Sequence, residues 1–242
     1  MIFINAAIGI GKTSLTKILT EDLGTQGFYE NVDDVPMLKE FYDAGEESRE
    51  RLAFPLQVDF LLYRFRQLRR GLYLAEHNGM VNTVYDSSLL SDAQMSANLH
   101  RRGEFPDSMY NLYVQLNQEM VADVAGHPFN GFPDLVVFLD APFELMLDHI
   151  KLRGREMEIT DPELVDYYHS VWETYDNWRK SFSGCAMVTI DMNKYDFVNN
   201  LDDRNAVLNQ IEQKLVDLGK LSPEEFEQIR ARREPLTRGL PF

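Results

Sequence analysis

The sequence predicts an α/β fold whose central parallel sheet is covered on both faces. Two observations carry this. Short, almost wholly apolar runs read as buried strands, and each is separated from the next by longer stretches of helical periodicity. Runs and helices alternate along the chain, which is the pattern of βαβ units and not of hairpins. The expected strands are Ile2 to Ala7, Val81 to Tyr85, Leu135 to Leu139 and Met187 to Ile190, with Phe28-Tyr29 as a weaker fifth.

The helices are expected to begin near Lys12, Pro36, Arg49, Leu89, Asp107, Pro142, Asp161 and Leu201. Pro142 directly follows Asp140-Ala141 at the end of a strand, a favourable first helical position because proline lacks the N–H that a first turn leaves unpaired. Ser222-Pro223-Glu224-Glu225 reads as one more helix start, with acids that suit the positive end of the helix dipole. The segment from Ser222 carries four Glu and four Arg and ends in Pro241-Phe242, and no chemistry is implied there.

The 242 residues suit one large domain, or a domain with an extension, and can bury a substantial core. With 44% hydrophobic and 26% charged residues, wholesale disorder is excluded. No apolar run approaches the roughly 18 residues of a membrane span. Met1 to Ala7 is too short, and lacks a basic lead-in, to be expected as a secretory signal. A formal charge of −15 argues against a DNA-coating role, which needs clustered cations, yet leaves room for a small phosphorylated ligand. The single Cys185 permits no internal disulfide and is expected as a core residue in a reducing compartment, hence a cytoplasmic location. Charge is uneven: Thr20 to Glu50 holds ten acids and two bases, and Arg51 to Leu72 holds five Arg and one Asp.

The most specific motif is Ala6-Ala7-Ile8-Gly9-Ile10-Gly11-Lys12-Thr13, directly after the first strand. It matches the phosphate-loop pattern G-x-x-x-x-G-K-[ST], with Ala6 in place of the first glycine. Gly9 and Gly11 let backbone N–H groups curl around a phosphate, and the helix from Lys12 aims its positive end at the same anion. Lys12 can reach the outer phosphates, and the Thr13 hydroxyl can hold Mg²⁺. Ala7, Ile8, Gly9, Ile10, Gly11, Lys12, Thr13 and Ser14 are therefore the expected nucleotide-binding segment. The loop alone implies nucleoside triphosphate binding, and ATPase, GTPase, small-molecule kinase and nucleic-acid motor all remain open.

The segment Tyr29-Glu30-Asn31-Val32-Asp33-Asp34-Val35-Pro36-Met37-Leu38, with Phe41-Tyr42, resembles the stretch after the second strand of deoxynucleoside kinases, especially the bacterial deoxyadenosine/deoxyguanosine kinases. Arg51-Leu52-Ala53-Phe54-Pro55-Leu56-Gln57 resembles their base-reading helix. Asp86-Ser87-Ser88 falls where that family has an acidic-Arg-Ser motif. Arg153-Gly154-Arg155 with Glu158 resembles their lid, and Tyr167-Tyr168-His169, Trp172, Tyr175 and Trp178 the helix after it. The likeness covers about residues 2 to 200. It implies a P-loop kinase fold, with a five-stranded parallel sheet flanked by helices and an Arg-containing lid. It also implies a kinase-like domain over residues 1–200 and a helical extension and tail over 201–242.

The residues themselves support parts of this. Glu30 follows a short strand at the edge where the loops of a parallel sheet converge, and a carboxylate there suits general-base work on a hydroxyl. The alternative is a surface acid in an acid-rich stretch. Gln57 and Arg64 stand seven apart on one helix, so they project from one stripe beside Phe60 and Leu61. Buried polar groups on such a stripe need partners, and a Gln amide can both donate to and accept from a base edge. The alternative for Arg64 is membership of the exposed set with Arg66, Arg69 and Arg70. Phe54 and Phe60 read as core on spacing alone. Arg153 and Arg155, with Lys151 nearby, suit closure over transferring phosphates, or else simply stabilise a helix C-terminus.

By resemblance, Glu30 is the general base, and Lys12, Arg153 and Arg155 stabilise the transferring group. Gln57, Arg64 and Asp92 read the base, Tyr42 and Glu158 hold the sugar 3′-hydroxyl, and Thr13 and Asp86 organise Mg²⁺. The implied acceptor is a purine deoxynucleoside and the donor is ATP, with no nucleic-acid or membrane partner and a homodimer or heterodimer as the assembly. Two departures stand out. Ser87 occupies the place of the family's Arg, for which Arg101, Arg102 or a lid Arg could substitute. Gly45-Glu46-Glu47-Ser48 looks like an insertion of about four residues between Tyr42 and Gln57. Other readings are a nucleoside monophosphate kinase, disfavoured by the acidity around Glu30, and a weakened or non-catalytic nucleotide-binding subunit.

Overall fold

The first four-residue strand, β1 (Ile2–Asn5), is buried along its whole length, as expected of a strand with helices over both faces. A computed structural model describes residues 1–30, 35–43, 45–125, 133–159 and 161–238. β1 leads into α1 (Lys12–Leu23), which buries Leu15, Thr16 and Leu19 and ends on Gly24 at φ 64°. There follow β2 (Gly27–Phe28), α2 (Pro36–Asp43), the 34-residue α3 (Gly45–Asn78), β3 (Val84–Asp86), α4 (Leu89–Arg101) and α5 (Asp107–Ala125). The second half comprises β4 (Leu135–Asp140), α6 (Phe143–Arg153), the short α7 (Glu156–Ile159), α8 (Leu164–Ser181), β5 (Ala186–Asp191), α9 (Leu201–Asp217) and α10 (Pro223–Arg238).

All four strand pairings are parallel, and the five strands lie in the order β2-β3-β1-β4-β5. β1 therefore lies at the centre, pairing Ile2 with both Val84 and Leu135. The connection from β3 to β4 crosses over β1, so the strand order reverses beside it, where ligands of open parallel sheets bind at the carboxyl ends. Asn5, Phe28 and Asp86 all end at that edge and deliver the phosphate loop, Glu30 and Ser87 to one crevice.

The differences from expectation have local causes. β1 stops at Asn5 because Ala6 and Ala7 already belong to the phosphate loop. β3 starts at Val84, three residues late, because Asn82 is left-handed (φ 56°) and its side chain donates to the Lys220 carbonyl at 2.7 Å. α3 begins at Gly45 and runs through Pro55 instead of starting near Arg49. Gly45 to Ser48 thus belong to the backbone of its first turn. The helix expected from Asp161 begins at Leu164, after the separate turn α7. Asn31 to Asp34 of the segment resembling the family lie outside the described residues.

α9 buries Val207, Leu208, Ile211 and Leu215 in the same core as the sheet. α10 begins with a reciprocal cap, in which the Glu225 N–H donates to Ser222 Oγ (3.1 Å) and the Ser222 N–H to Glu225 Oε2 (2.9 Å). Farther along α10, Arg233 is inserted between Glu212 of α9 and Asp22 of α1. Cys185 is half-buried and free, and burial pushes its thiol up to about 11, away from reactivity at neutral pH. Among the described residues no helix is long and apolar enough to cross a membrane.

Candidate active site

The phosphate loop takes its shape from two glycines. Gly9 has φ 78° and Gly11 φ 96°, both in the left-handed region, and a Cβ on Gly9 would meet Ile150 Cγ1 at 3.0 Å. Ala6 is not among the described non-glycine residues with positive φ, so its replacement of glycine carries no backbone strain. Gly11 caps α1 without a side-chain bond, leaving first-turn N–H groups free for an anion. Lys12 donates to the carbonyls of Ala6 (3.3 Å) and Ala7 (3.1 Å), which holds it across the loop. Burial lowers its pKa, and Asp86 and Glu30 oppose that. Ala7 and Ile10 face inward, while Ser14 continues the first turn of α1.

Thr13 Oγ1 donates to Asp86 Oδ2 at 2.5 Å, linking the loop helix to the end of β3. Asp86 Oδ1 is buried with no hydrogen-bond partner, and burial raises the carboxyl pKa. An orphaned carboxylate oxygen beside a hydroxyl and a phosphate loop fits a hard cation completed by phosphate and water. Among the described residues no cluster of three or more His, Cys, Asp or Glu could hold a metal ion.

In front of the loop a single cavity gathers Lys12, Glu30, Tyr42, Gln57, Arg64, Asp92, Arg153, Arg155 and Glu158. These residues come from six helices, from the segment after β2 and from the turn between α6 and α7. Tyr63 Oη and Gln67 Nε2 on α3 both donate to the Tyr29 carbonyl at 2.8 Å and so fix the backbone just before Glu30. Arg64 is buried while Arg66, Arg69 and Arg70 are exposed, so it stands apart from the surface set. Its Nη2 lies 3.1 Å from Glu30 Oε2 and its Nε 3.4 Å from Asp92 Oδ2. Ser88 caps α4 by accepting from the Ser91 N–H at 3.1 Å, which aims the first turn and Asp92 at the cavity. Burial, and next the adjacent Arg64 and Glu30 with opposite signs, leave the Asp92 carboxyl raised to about 6.

The segment expected as a lid turns at Arg-Gly-Arg. Gly154 ends α6 at φ 67°, its N–H returning to the Ile150 carbonyl, and the reversal lets Arg153 and Arg155 meet on one carboxylate. Arg153 donates twice to Glu158 Oε2 (3.1 and 2.6 Å), and Arg155 Nη1 lies 3.6 Å from Oε1. Tyr42 is at the C-terminal end of α2 and lines the cavity with Glu158, so the longer Tyr42–Gln57 stretch leaves it facing the site. Lys151, in the last turn of α6, is exposed and does not line the cavity.

Residues 2–217 match the model of the family described as deoxynucleoside kinase. The chain is 37% identical to the deoxyguanosine kinase of Lactobacillus johnsonii, over 93% of this chain and 96% of that one. It is 33% identical to the deoxyadenosine kinase of Lactobacillus acidophilus, over 91% and 99%. The chain belongs to the deoxynucleoside kinase family. The fold is likewise that of the deoxyadenosine kinase from M. mycoides with bound dCTP, at TM-score 0.69 and 19% identity, over 88% of this chain and 100% of that one.

As a deoxynucleoside kinase the chain phosphorylates a nucleoside 5′-hydroxyl at the expense of a nucleotide donor, and its cavity contains residues that spacing did not single out. Phe60, assigned to the core on spacing, lines the cavity under the Arg64 guanidinium, whereas Phe54 packs on Phe105. Leu38, Phe41, Met95, Tyr167 and Tyr175 also line it. Their apolar spacing looks the same as that of core residues, so periodicity could not separate them. Ser87 lines the cavity too, at φ 83°, held by its N–H to the Ile4 carbonyl at 3.1 Å. Arg101 and Arg102 do not substitute for the missing Arg. Arg101 is bonded to Thr174, and Arg102 to Glu104 (2.9 Å), in a different surface cleft.

Proposed function

We propose that this deoxynucleoside kinase uses ATP and Mg²⁺ to phosphorylate the 5′-hydroxyl of a purine deoxynucleoside, deoxyguanosine or deoxyadenosine. The observation that supports it best is the single cavity in which Gln57, Arg64 and Asp92 face Lys12 and Glu30. Base-reading donors and acceptors at one end, and phosphate chemistry at the other, suit a nucleoside lying between them. The relatives named as deoxyguanosine and deoxyadenosine kinases support a purine.

Gln57 Oε1 accepts from Ser96 Oγ at 3.1 Å, which orients the amide toward the base. Tyr42, whose pKa burial raises well above its usual value, stays a neutral donor and with Glu158 holds the sugar. Glu30 accepts the proton of the 5′-hydroxyl as it attacks in line. Lys12, Arg153 and Arg155 take up negative charge on the transferring phosphoryl group, the lid arginines leaving Glu158 to do so. Thr13 and Asp86 would hold Mg²⁺, which would supply positive charge against the phosphates of the donor. The few cations near an acid-rich rim suit a neutral nucleoside better than a nucleotide acceptor. A homodimer, or a heterodimer with a related chain, is the proposed assembly, and the cytoplasm the proposed location.

The test is incubation of the pure protein with ATP, Mg²⁺ and each of the four deoxynucleosides, with monophosphate formation as the readout. Product with deoxyguanosine or deoxyadenosine supports the reading. ATP binding with no product from any acceptor would overturn it in favour of a non-catalytic subunit.

A further inference from the structure

We propose that Arg64 is a positioning residue that couples recognition of the nucleobase to the placement of Glu30. The inference rests on the reading of Glu30 as general base. It starts from what each cation of the cavity touches. Lys12 is bonded to the Ala6 and Ala7 carbonyls, and Arg153 and Arg155 converge on Glu158. Among the described residues lining the cavity, the guanidinium in ion-pair contact with Glu30 is that of Arg64.

Arg64 has three faces in use or on offer. Nη2 meets Glu30 and Nε faces Asp92, as described above. Nη1 is buried without a hydrogen-bond partner, and an unpaired guanidinium N–H at the wall of a ligand cavity calls for an acceptor on the ligand. The planar fork cannot turn one N–H without turning the others. An acceptor atom on a purine edge that docks on Nη1 therefore also sets the direction of Nη2, and with it the Glu30 carboxylate. The backbone before Glu30 is already fixed by Tyr63 and Gln67 of the same helix, so the Glu30 side chain is what remains to be oriented. α3 thus carries Gln57, the fork and the anchors of the Glu30 segment on one rigid element.

The consequence is kinetic. A guanidinium that only touched the base would contribute to KM, whereas one that places the general base contributes to kcat. The experiment measures kcat and KM for deoxyguanosine and deoxyadenosine, ATP affinity and Tm for Arg64→Lys, Asp92→Asn and the double variant Arg64→Met/Asp92→Asn. The double variant removes the buried charge pair together, so that no lone Asp92 charge is left to unfold the site. Misplacement of a catalytic group by about 1 Å costs on the order of 100-fold, and the double variant is expected to lose about that in kcat with ATP affinity within a few-fold. Arg64→Lys, which keeps a charge for Glu30 but not the fork, should recover part of the loss. Asp92→Asn alone should change KM more than kcat. Unchanged kcat with a raised KM in the double variant would overturn the coupling, and so would loss of ATP affinity in parallel with kcat. Glu30→Gln separates the two readings. If it keeps full kcat, the general base itself is wrong; if it loses kcat while both Arg64 variants keep theirs, only the coupling fails.

Discussion

The Thr13 hydroxyl donates to Asp86 at 2.5 Å and thereby ties the first turn of α1 to the end of β3, leaving the second Asp86 oxygen buried and unpaired. The two residues are 73 positions apart. Asp86→Asn removes the carboxylate charge that the proposed Mg²⁺ would face, while keeping the shape. The Mg²⁺ concentration for half-maximal activity is expected to rise by about tenfold or more, with little change in the nucleoside KM. A Mg²⁺ titration of initial rates checks this, and an unshifted midpoint would remove Asp86 from the metal site.

Arg153 is expected to matter for turnover and not for ground-state binding. It donates twice to Glu158 in the present arrangement and must leave it to meet a phosphate. Arg153→Ala should lower kcat by about 10²–10³ with ATP affinity changed only a few-fold. Single-turnover rates and equilibrium ATP binding distinguish the two, and an effect confined to affinity would contradict the lid assignment.

Ser87→Arg tests whether the serine is a loss. Arg64 already supplies a guanidinium to Glu30, and residue 87 sits at φ 83°, which strains a long side chain as much as a serine. The expected gain in kcat/KM is therefore less than about tenfold. Restoring one preorganised cation to a site that truly lacked it would instead give on the order of 10²–10³.

Asp92 gives a pH dependence with a definite sign. Its folded pKa of about 6 is above the ordinary 3.8, chiefly because burial penalises the carboxylate. The folded state binds the extra proton, so this contribution to stability is complete below pH 3.8 and is lost as pH rises through 6. Asp92→Asn should therefore raise Tm at pH 7.5, by the equivalent of about 3 kcal/mol at most, and the gain should vanish toward pH 4. Thermal unfolding of both proteins across pH 4–8 measures it. A gain that grew on acidification would reverse the sign and refute the argument.

Arg233 is the clasp of the C-terminal helix. It is inserted between Asp22 and Glu212, and burial together with the bond to Asp22 holds the Glu212 carboxyl far above its usual range. Arg233→Ala leaves two buried carboxyl groups facing each other without a cation and is expected to cost about 3–5 kcal/mol at pH 8. Thermal unfolding of both proteins measures the loss. A loss below about 1 kcal/mol would show that Arg233 does not clasp the helix through its buried ion pairs.

Much of the fold and part of the site were legible in the chain. β1, β3 and β4 were visible as apolar runs because a strand buried on both faces shows no alternation, and the phosphate loop was visible because its chemistry is local to eight residues. Glu30, Gln57, Arg64 and Asp92 could be named as candidates, but nothing in their spacing said that one guanidinium would bridge Glu30 and Asp92. Phe60 was assigned to the core because a cavity-lining aromatic and a core aromatic occupy the same stripe of a helix. Arg101 and Arg102 remained possible substitutes for a missing cation until α4 was seen to turn them toward Thr174, Glu104 and Ser170.

Alone, the sequence determined what depends on neighbours along the chain: the alternation of strands and helices, the left-handed glycines of the loop, and the turn at Arg153-Gly154-Arg155. Only the tertiary structure decided which of the acids and arginines share a cavity. The strand order β2-β3-β1-β4-β5 brings chain ends separated by tens of residues to one edge, and burial there makes each pairing obligatory. An exposed Arg such as Arg66 is free to choose water, whereas Arg64, cut off from it, had to find Glu30 and Asp92.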